Sequence, residues 1–161
     1  MFARTLAFAL VALSAAACFA QPPVAASGPK RPSATPKFAV PADDALYRAL
    51  GGQAGLVALM DDFVPRLAAD PRIGHFFAKT DLPYFKDMLV QQFCVVSGGG
   101  CRYQGMGMKD AHDEFDVRMA DFNTLVELLQ VSMDARGIPF ATQNRLLAVL
   151  APMHREVVNT H

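Results

Sequence analysis

The sequence has few cysteines and few residues in patterns that favour β-strands. Its three cysteines among 161 residues are too few to define a disulfide scaffold. Adjacent β-branched residues occur only at Val95-Val96 and Val157-Val158, and neither pair belongs to a convincing strand pattern. This shortage of strand signals predicts an all-α fold.

Residues 43–161 also lack a surplus of basic charge. All 15 acidic side chains lie at or after Asp43, whereas four of the 15 basic ones, Arg4, Lys30, Arg31 and Lys37, precede it. Residues 43–161 therefore carry a net charge of about −4. Because a polyanionic partner needs a basic face, nucleic acid is not expected as a partner.

Residues 1–20 have the layout of a secretory signal peptide. Arg4 supplies an early positive charge, and the apolar run at residues 6–17 is too short to span a bilayer. We expect cleavage after Ala20. An alternative is a weak lipobox at residues 15–18, in which Cys18 becomes a lipidated N-terminus that attaches the protein to a membrane. Either route predicts a periplasmic or secreted protein in an oxidising compartment.

Residues 21–42 form a proline-rich segment with prolines at positions 22, 23, 29, 32, 36 and 41. Such a composition buries too little apolar surface to offset the entropy lost on ordering. We therefore expect a disordered linker here and a single globular domain over residues 43–161.

Apolar residues recur at helical spacing in four segments of that domain, at residues 53–68, 82–97, 120–136 and 140–158. A shorter helix is expected over residues 45–50, ended by Gly51-Gly52. Pro65 and Pro152 lie inside two of the long segments; Pro65 is expected to kink or end its helix locally, and Pro152 is expected to bend the last one.

Three glycines at 98–100 end the helix that arrives from Phe85. The polar segment that follows is too short to bury itself as a full helix. It places His112 about one turn after Met108. Among the four histidines, His112 alone follows a glycine turn and faces apolar helices, so it is the candidate metal ligand.

Several short motifs, in order along the chain, resemble those of the group I truncated haemoglobins. They are Leu46-Tyr47, Leu50-Gly51-Gly52, Asp62-Phe63, Ala69-Asp70-Pro71-Arg72, Phe76-Phe77, Gly98-Gly99, Tyr103-x-Gly105 and Met108-Lys109-x-x-His112. The resemblance covers residues 43–161. It implies a shortened globin fold, a two-over-two helical sandwich around a haem.

The resemblance implies that His112 is the proximal iron ligand, that Phe77 packs on the porphyrin and that Tyr103 lies near a propionate. Since no Cys-x-x-Cys-His motif is present, the expected cofactor is one non-covalent haem b per chain. The residues predicted to contact it are Phe63, Val64, Leu67, Phe77, Phe85, Leu89, Tyr103, Met108, His112 and Phe122.

The sequence departs from the family on the distal side of the haem. Many group I members carry a tyrosine and a glutamine there that donate hydrogen bonds to O₂, but Val64 and Leu89 occupy these positions and Phe85 the third. A donor in a dry pocket contributes about 1.5 to 3 kcal/mol. Without one, O₂ is expected to leave fast. Two alternatives remain: Gln91 or Gln92 swings inward, although the helical phase places both sideways, or the Met88 thioether becomes the sixth iron ligand.

Two further features concern the segment around His112. Asp113-Glu114-Phe115-Asp116-Val117 replaces the family's usual glycine and branched apolar residue, so extra negative charge is expected near the iron. Cys94 and Cys101 are separated by six residues. They either form a disulfide that pins the third long helix to the following loop or remain as two thiols.

The leading functional hypothesis is a haem protein that reversibly binds O₂, CO or NO, with a possible role in NO or redox chemistry through a redox partner. An enzyme is the alternative. A peroxidase would need a distal acid–base pair, which is not evident, and an NO dioxygenase would need a separate reductase, because no flavin or nicotinamide motif is present. The third hypothesis is a haem-free helical interaction domain.

Overall fold

The computed structural model describes residues 38–159, and these form helices and connecting loops with no strand among them. The predicted signal peptide, Cys18, most of the predicted linker and His161 lie outside the described residues. The α-helices are α1 (Ala45–Ala49), α2 (Gly52–Ala69), α3 (Leu82–Val96), α4 (Met108–His112), α5 (Met119–Ala135), α6 (Phe140–Leu150) and α7 (His154–Val157), with 3-10 helices at Gly74–Phe77 and Ala151–Met153. The all-α prediction is confirmed.

Helix α2 continues through Pro65 to Ala69, so the expectation that this proline could end the helix is wrong. A proline inside a helix removes one backbone donor. The apolar stripe compensates, because Leu56, Met60, Phe63 and Leu67 are all buried with exposed fractions of 2% or less. Burial of this continuous face keeps the helix intact.

Helix α3 begins at the predicted residue, Leu82, and ends one residue before the predicted Ser97. The Asp81 carboxylate accepts a hydrogen bond from the backbone N–H of Tyr84 at 3.1 Å, and Pro83 occupies the first turn. Gly98 follows the C-terminus with φ +88°, a conformation that other residues rarely adopt. A Cβ at Gly98 would also collide with the Asp43 carbonyl, so the glycine lets the chain turn tightly beside α1.

The last predicted helix is divided. Instead of one bent helix over residues 140–158, the structure has α6, a 3-10 turn that contains Pro152, and the short α7. Proline is tolerated in the first turn of a helical segment, where its missing N–H is not needed. The turn therefore redirects the chain, and α7 packs against α4.

The long helices form two groups that meet in one core. Helix α2 packs against α3 and α5, and α6 packs against α1 and α5. Leu129 and Met133 of α5 and Leu146 of α6 share the buried cluster with α2 and α3. This is the arrangement expected of two helix pairs that face each other.

Part of the predicted linker packs onto the domain. Phe38 is half-buried and lies edge-on against Tyr103, with the ring centroids 5.1 Å apart. It belongs to the segment that the proline content predicts to be disordered. Phe38 also packs against both buried hydrophobic clusters of the domain, so this part of the segment buries apolar surface that helps to hold it in place. The packed region therefore begins before residue 43.

Cys94 and Cys101 form a disulfide, which settles the alternative left open by the sequence. The Cα atoms are 5.8 Å apart and seven positions apart in sequence. Cys94 is fully buried at the end of α3. The bond therefore fixes the start of the loop at residues 98–107, which leads to His112, against the core.

Reduction of this disulfide should destabilise the domain. A closed loop of this length is expected to contribute about 2 to 3 kcal/mol through the entropy of the unfolded chain. Urea unfolding with and without a thiol reductant should show a loss of that size. The variant Cys101→Ser, which has no disulfide to lose, should be equally stable in both conditions. A wild-type protein that is indifferent to the reductant would show that the bond contributes nothing.

Candidate functional site

A cavity of about 410 Å³ lies between the helices, and its lining is predominantly apolar. Side chains reach it from α2, α3, α4, α5, the C-terminal helices and the two loops that flank α3. Leu67, Phe93 and Leu129 are examples of the buried apolar side chains that line it. Within the described part of the chain, the polar side chains of the lining are those of Thr80, Tyr84, Gln92, Tyr103, His112 and Asp121.

Among the described residues that line this cavity, His112 is the one histidine. Its Nδ1 lies 2.6 Å from the Met108 carbonyl oxygen. A carbonyl can only accept, so the hydrogen bond requires a proton on Nδ1. The neutral ring then presents the lone pair of Nε2, the atom that binds a metal. The half-buried ring is thus oriented and in the tautomer that an iron ligand needs.

Two other histidines in the described part of the chain are weaker candidates. The His154 ring has the same kind of bond, from Nδ1 to the Ala151 carbonyl at 2.7 Å, but His154 does not line the cavity. The His75 ring lies tilted against the Phe76 ring, with the centroids 4.1 Å apart, and His75 also lies outside the lining. Contact with the cavity, more than ring tautomer, distinguishes His112.

Gln92 is a site residue that sequence reasoning placed wrongly. It is buried and lines the cavity, whereas the helical phase of α3 suggests a sideways position. Its amide nitrogen lies 3.2 Å from Sδ of Met108 and 3.4 Å from Sδ of Met153. Gln91 does point sideways, and its side-chain Oε1 accepts a hydrogen bond from the backbone N–H of Gln104 at 3.0 Å. Gln92 therefore links α3 to the helix that carries His112.

Tyr103 closes one side of the cavity. Its hydroxyl donates to the Met106 carbonyl at 3.0 Å, and burial raises the pKa of Tyr103 to about 12. The phenol is therefore neutral and its proton engaged at physiological pH. Gly105 makes this possible, because a Cβ there would collide with the Tyr103 hydroxyl. The Tyr103-x-Gly105 motif thus has a steric reason.

Most residues predicted to contact a cofactor surround this cavity. Those in its lining are Phe63, Leu67, Phe77, Phe85, Leu89, Tyr103, Met108, His112 and Phe122. Val64 is the exception, since it is buried but not in the lining. A valine is too short to reach the space that a tyrosine at this position would enter. Contact of the other residues with a haem stays a prediction.

The chain is similar in sequence to known globins along most of its length. Residues 45–159 match the family model described as bacterial-like globin. A group 1 truncated hemoglobin of Synechocystis sp. is 31% identical over 120 residues, which cover 71% of this chain and 97% of that protein. One from Mycolicibacterium paratuberculosis is 29% identical over 112 residues, 70% of this chain and 82% of that protein.

The fold is similar to that of a solved structure as well. The structure described as truncated hemoglobin from Tetrahymena pyriformis, Fe(III) form, superposes with a TM-score of 0.69 at 24% identity, over 71% of this chain and 98% of that one. The helices and the cavity therefore define a globin. The chain belongs to the bacterial-like globin family, and within it to the group 1 truncated haemoglobins.

Haem is the cofactor of this family, and the residues of the cavity fit it. A non-covalent haem needs an imidazole with an oriented ring and an apolar cleft that keeps water off the iron. His112 supplies the ring, and aromatic side chains such as Phe77 and Phe122 supply apolar surface. Phe77 and Phe85 already pack on each other, with centroids 5.3 Å apart. His112 would hold the iron, and the surrounding helices would hold the porphyrin.

Replacement of the proposed ligand should strongly weaken haem binding. His112→Ala removes the only imidazole in the described lining, so hemin should bind about 100-fold more weakly, the upper end of the loss seen when a residue that orients a metal ligand is replaced. Titration of the apoprotein with hemin, followed at the Soret band, measures this. His154→Ala is the matched control, since its ring is bonded alike but lies outside the lining. Equal hemin affinities for the two variants would show that His112 is not the iron ligand.

Proposed function

We propose that this protein reversibly binds diatomic gases at a haem iron and that it releases O₂ quickly. Membership of the truncated haemoglobin family supports haem-based gas binding. The observation that supports fast release is the state of the hydrogen-bond donors around the cavity. Haem would supply the iron that binds the gas. The chain would supply the histidine that binds the iron and the side chains that surround the gas.

The deepest donors in the lining are already engaged. The Gln92 amide is directed at two thioether sulfurs, and the Tyr103 hydroxyl donates to a backbone carbonyl. Thr80 is half-buried, and Tyr84 is 58% exposed and so competes with water. None of these is a buried donor that faces the cavity with its proton free. This arrangement supports weak retention of a polar gas such as O₂.

The side chains of α3 that enter the cavity reinforce this conclusion. The α3 side chains Phe85, Met88 and Leu89 are apolar, and they lie on the face of the helix that lines the cavity. CO is less polar than bound O₂ and depends less on a donor, so CO should lose little affinity in this pocket. We infer a gas-binding role in which CO or NO is favoured over oxygen storage.

The enzyme alternative receives less support. Efficient peroxide cleavage needs an acid–base pair beside the iron. The described lining contains no arginine or lysine and no histidine besides His112, and Asp121 is its only carboxylate. These residues do not favour a peroxidase, whereas NO chemistry requires no such pair.

Introduction of a donor on α3 should slow O₂ release. Leu89→Gln places an amide at a position that lines the cavity, and a hydrogen bond of about 1.5 to 3 kcal/mol corresponds to roughly ten- to a hundredfold slower dissociation. Stopped-flow displacement of O₂ by CO measures the rate. Leu89→Met is the control, because it keeps the volume and adds no donor. If both variants release O₂ as the wild type does, another donor already serves the ligand.

We further propose that the protein works outside the cytoplasm. The signal-peptide layout of residues 1–20 supports export, and the Cys94–Cys101 disulfide is of the kind that persists in oxidising compartments. N-terminal sequencing of the mature protein from its own cells should begin at Gln21. A chain that retains Met1 and fractionates with cytoplasmic markers would contradict export, and a blocked, lipidated Cys18 would favour the membrane-attached form.

A further inference from the structure

Asn159 joins the two ends of the turn that follows His112. Its side-chain amide donates to the His112 carbonyl at 2.7 Å, and its side-chain oxygen accepts from the backbone N–H of Val117 at 2.9 Å. The backbone N–H of Asn159 also donates to the Val117 carbonyl at 3.1 Å. One residue therefore makes three hydrogen bonds across residues 112–117.

These bonds fix the orientation of the Asn159 amide. The His112 carbonyl can only accept and the Val117 N–H can only donate. An amide flipped by 180° would place oxygen against oxygen and nitrogen against N–H, and both bonds would be lost. The arrangement therefore discriminates between asparagine and residues that offer only a donor or only an acceptor.

The Asn159 hydrogen bonds stabilise the end of a helix that is too short to be stable on its own. Helix α4 has five residues, and a single helical turn does not repay the cost of nucleation. Its last carbonyls have no partner within the helix. The His112 carbonyl accepts from Asn159 and from the backbone N–H of Phe115 at 3.0 Å. Position 112 is thus fixed at its backbone from one side and at its ring, through the Met108 carbonyl, from the other.

Asn159 is itself held in place by the core. The preceding Val157 is buried and lines the cavity, and the Val158 N–H donates to the His154 carbonyl at 2.8 Å. Helix α7 packs against α4. The Asn159 side chain therefore ties the backbone of His112 to a segment that is itself packed against the domain.

We propose that Asn159 is a positioning residue for His112, which fixes the depth and tilt at which the imidazole meets the haem iron. The proposal rests on the haem-binding function proposed above. Residues that orient a metal ligand typically change metal affinity or activity by about 10- to 100-fold when they are replaced. Loss of the Asn159 amide should therefore loosen the bond between His112 and the iron.

Two variants of the full chain separate the two side-chain bonds. Asn159→Ala removes both, whereas Asn159→Asp keeps an acceptor for Val117 and loses the donor to His112. Both variants should release hemin to an excess of apomyoglobin about tenfold faster than the wild type, and both should shift the iron–histidine stretching band in the resonance Raman spectrum of the ferrous protein. Asn144→Ala, an exposed asparagine on α6, is the control and should leave both unchanged.

Measurements on the apoprotein test the Asn159 hydrogen bonds in the absence of haem. Hydrogen exchange at the Val117 amide should be accelerated in Asn159→Ala but less so in Asn159→Asp, which retains the acceptor. A merely structural role would lower the urea midpoint without a shift of the iron–histidine band, and that result would overturn the proposal. Hemin release by Asn159→Asp at the wild-type rate would also overturn it. A wild-type protein that takes up no hemin would instead overturn the haem-binding function itself.

Discussion

The hydrogen bond between the His112 ring and the Met108 carbonyl is the interaction on which the site depends. It joins two residues four apart in a single helical turn, so the same backbone that carries the ligand also sets its tautomer. A side chain that accepted this hydrogen bond could move away by changing its rotamer. A carbonyl of the local backbone cannot, and the ring is therefore only as well placed as α4 itself.

Helix α4 is held by its surroundings rather than by its own hydrogen bonds. At its start, the Met108 thioether accepts from Gln92 of α3, and at its end the His112 carbonyl accepts from Asn159. The disulfide and the bond from Gln104 to Gln91 restrain the loop before it. Each of these contacts comes from a different part of the chain. The position of the imidazole therefore depends on the packing of the whole domain.

The sequence allowed prediction of the elements in which local pattern and burial agree. The stripe of α2, the Asp81 cap of α3 and the glycine turn are local features, and they stand where the pattern puts them. The features that were predicted wrongly from the sequence depend on tertiary contacts. Phe38 packs because Tyr103 is beside it, and residues 140–158 divide because α7 turns onto α4.

Gln92 shows why the polarity of a cavity cannot be read from residue types alone. Burial of an unpaired amide costs about 1 to 3 kcal/mol, and a thioether sulfur is a weak acceptor that reduces this cost only partly. The amide remains at the cavity because Met108 and Met153 converge on it from two other elements. The same contacts that stabilise the buried amide also engage its protons. A glutamine in the lining therefore leaves the cavity poor in donors, and the chemistry of the pocket follows from how its polar groups are paired.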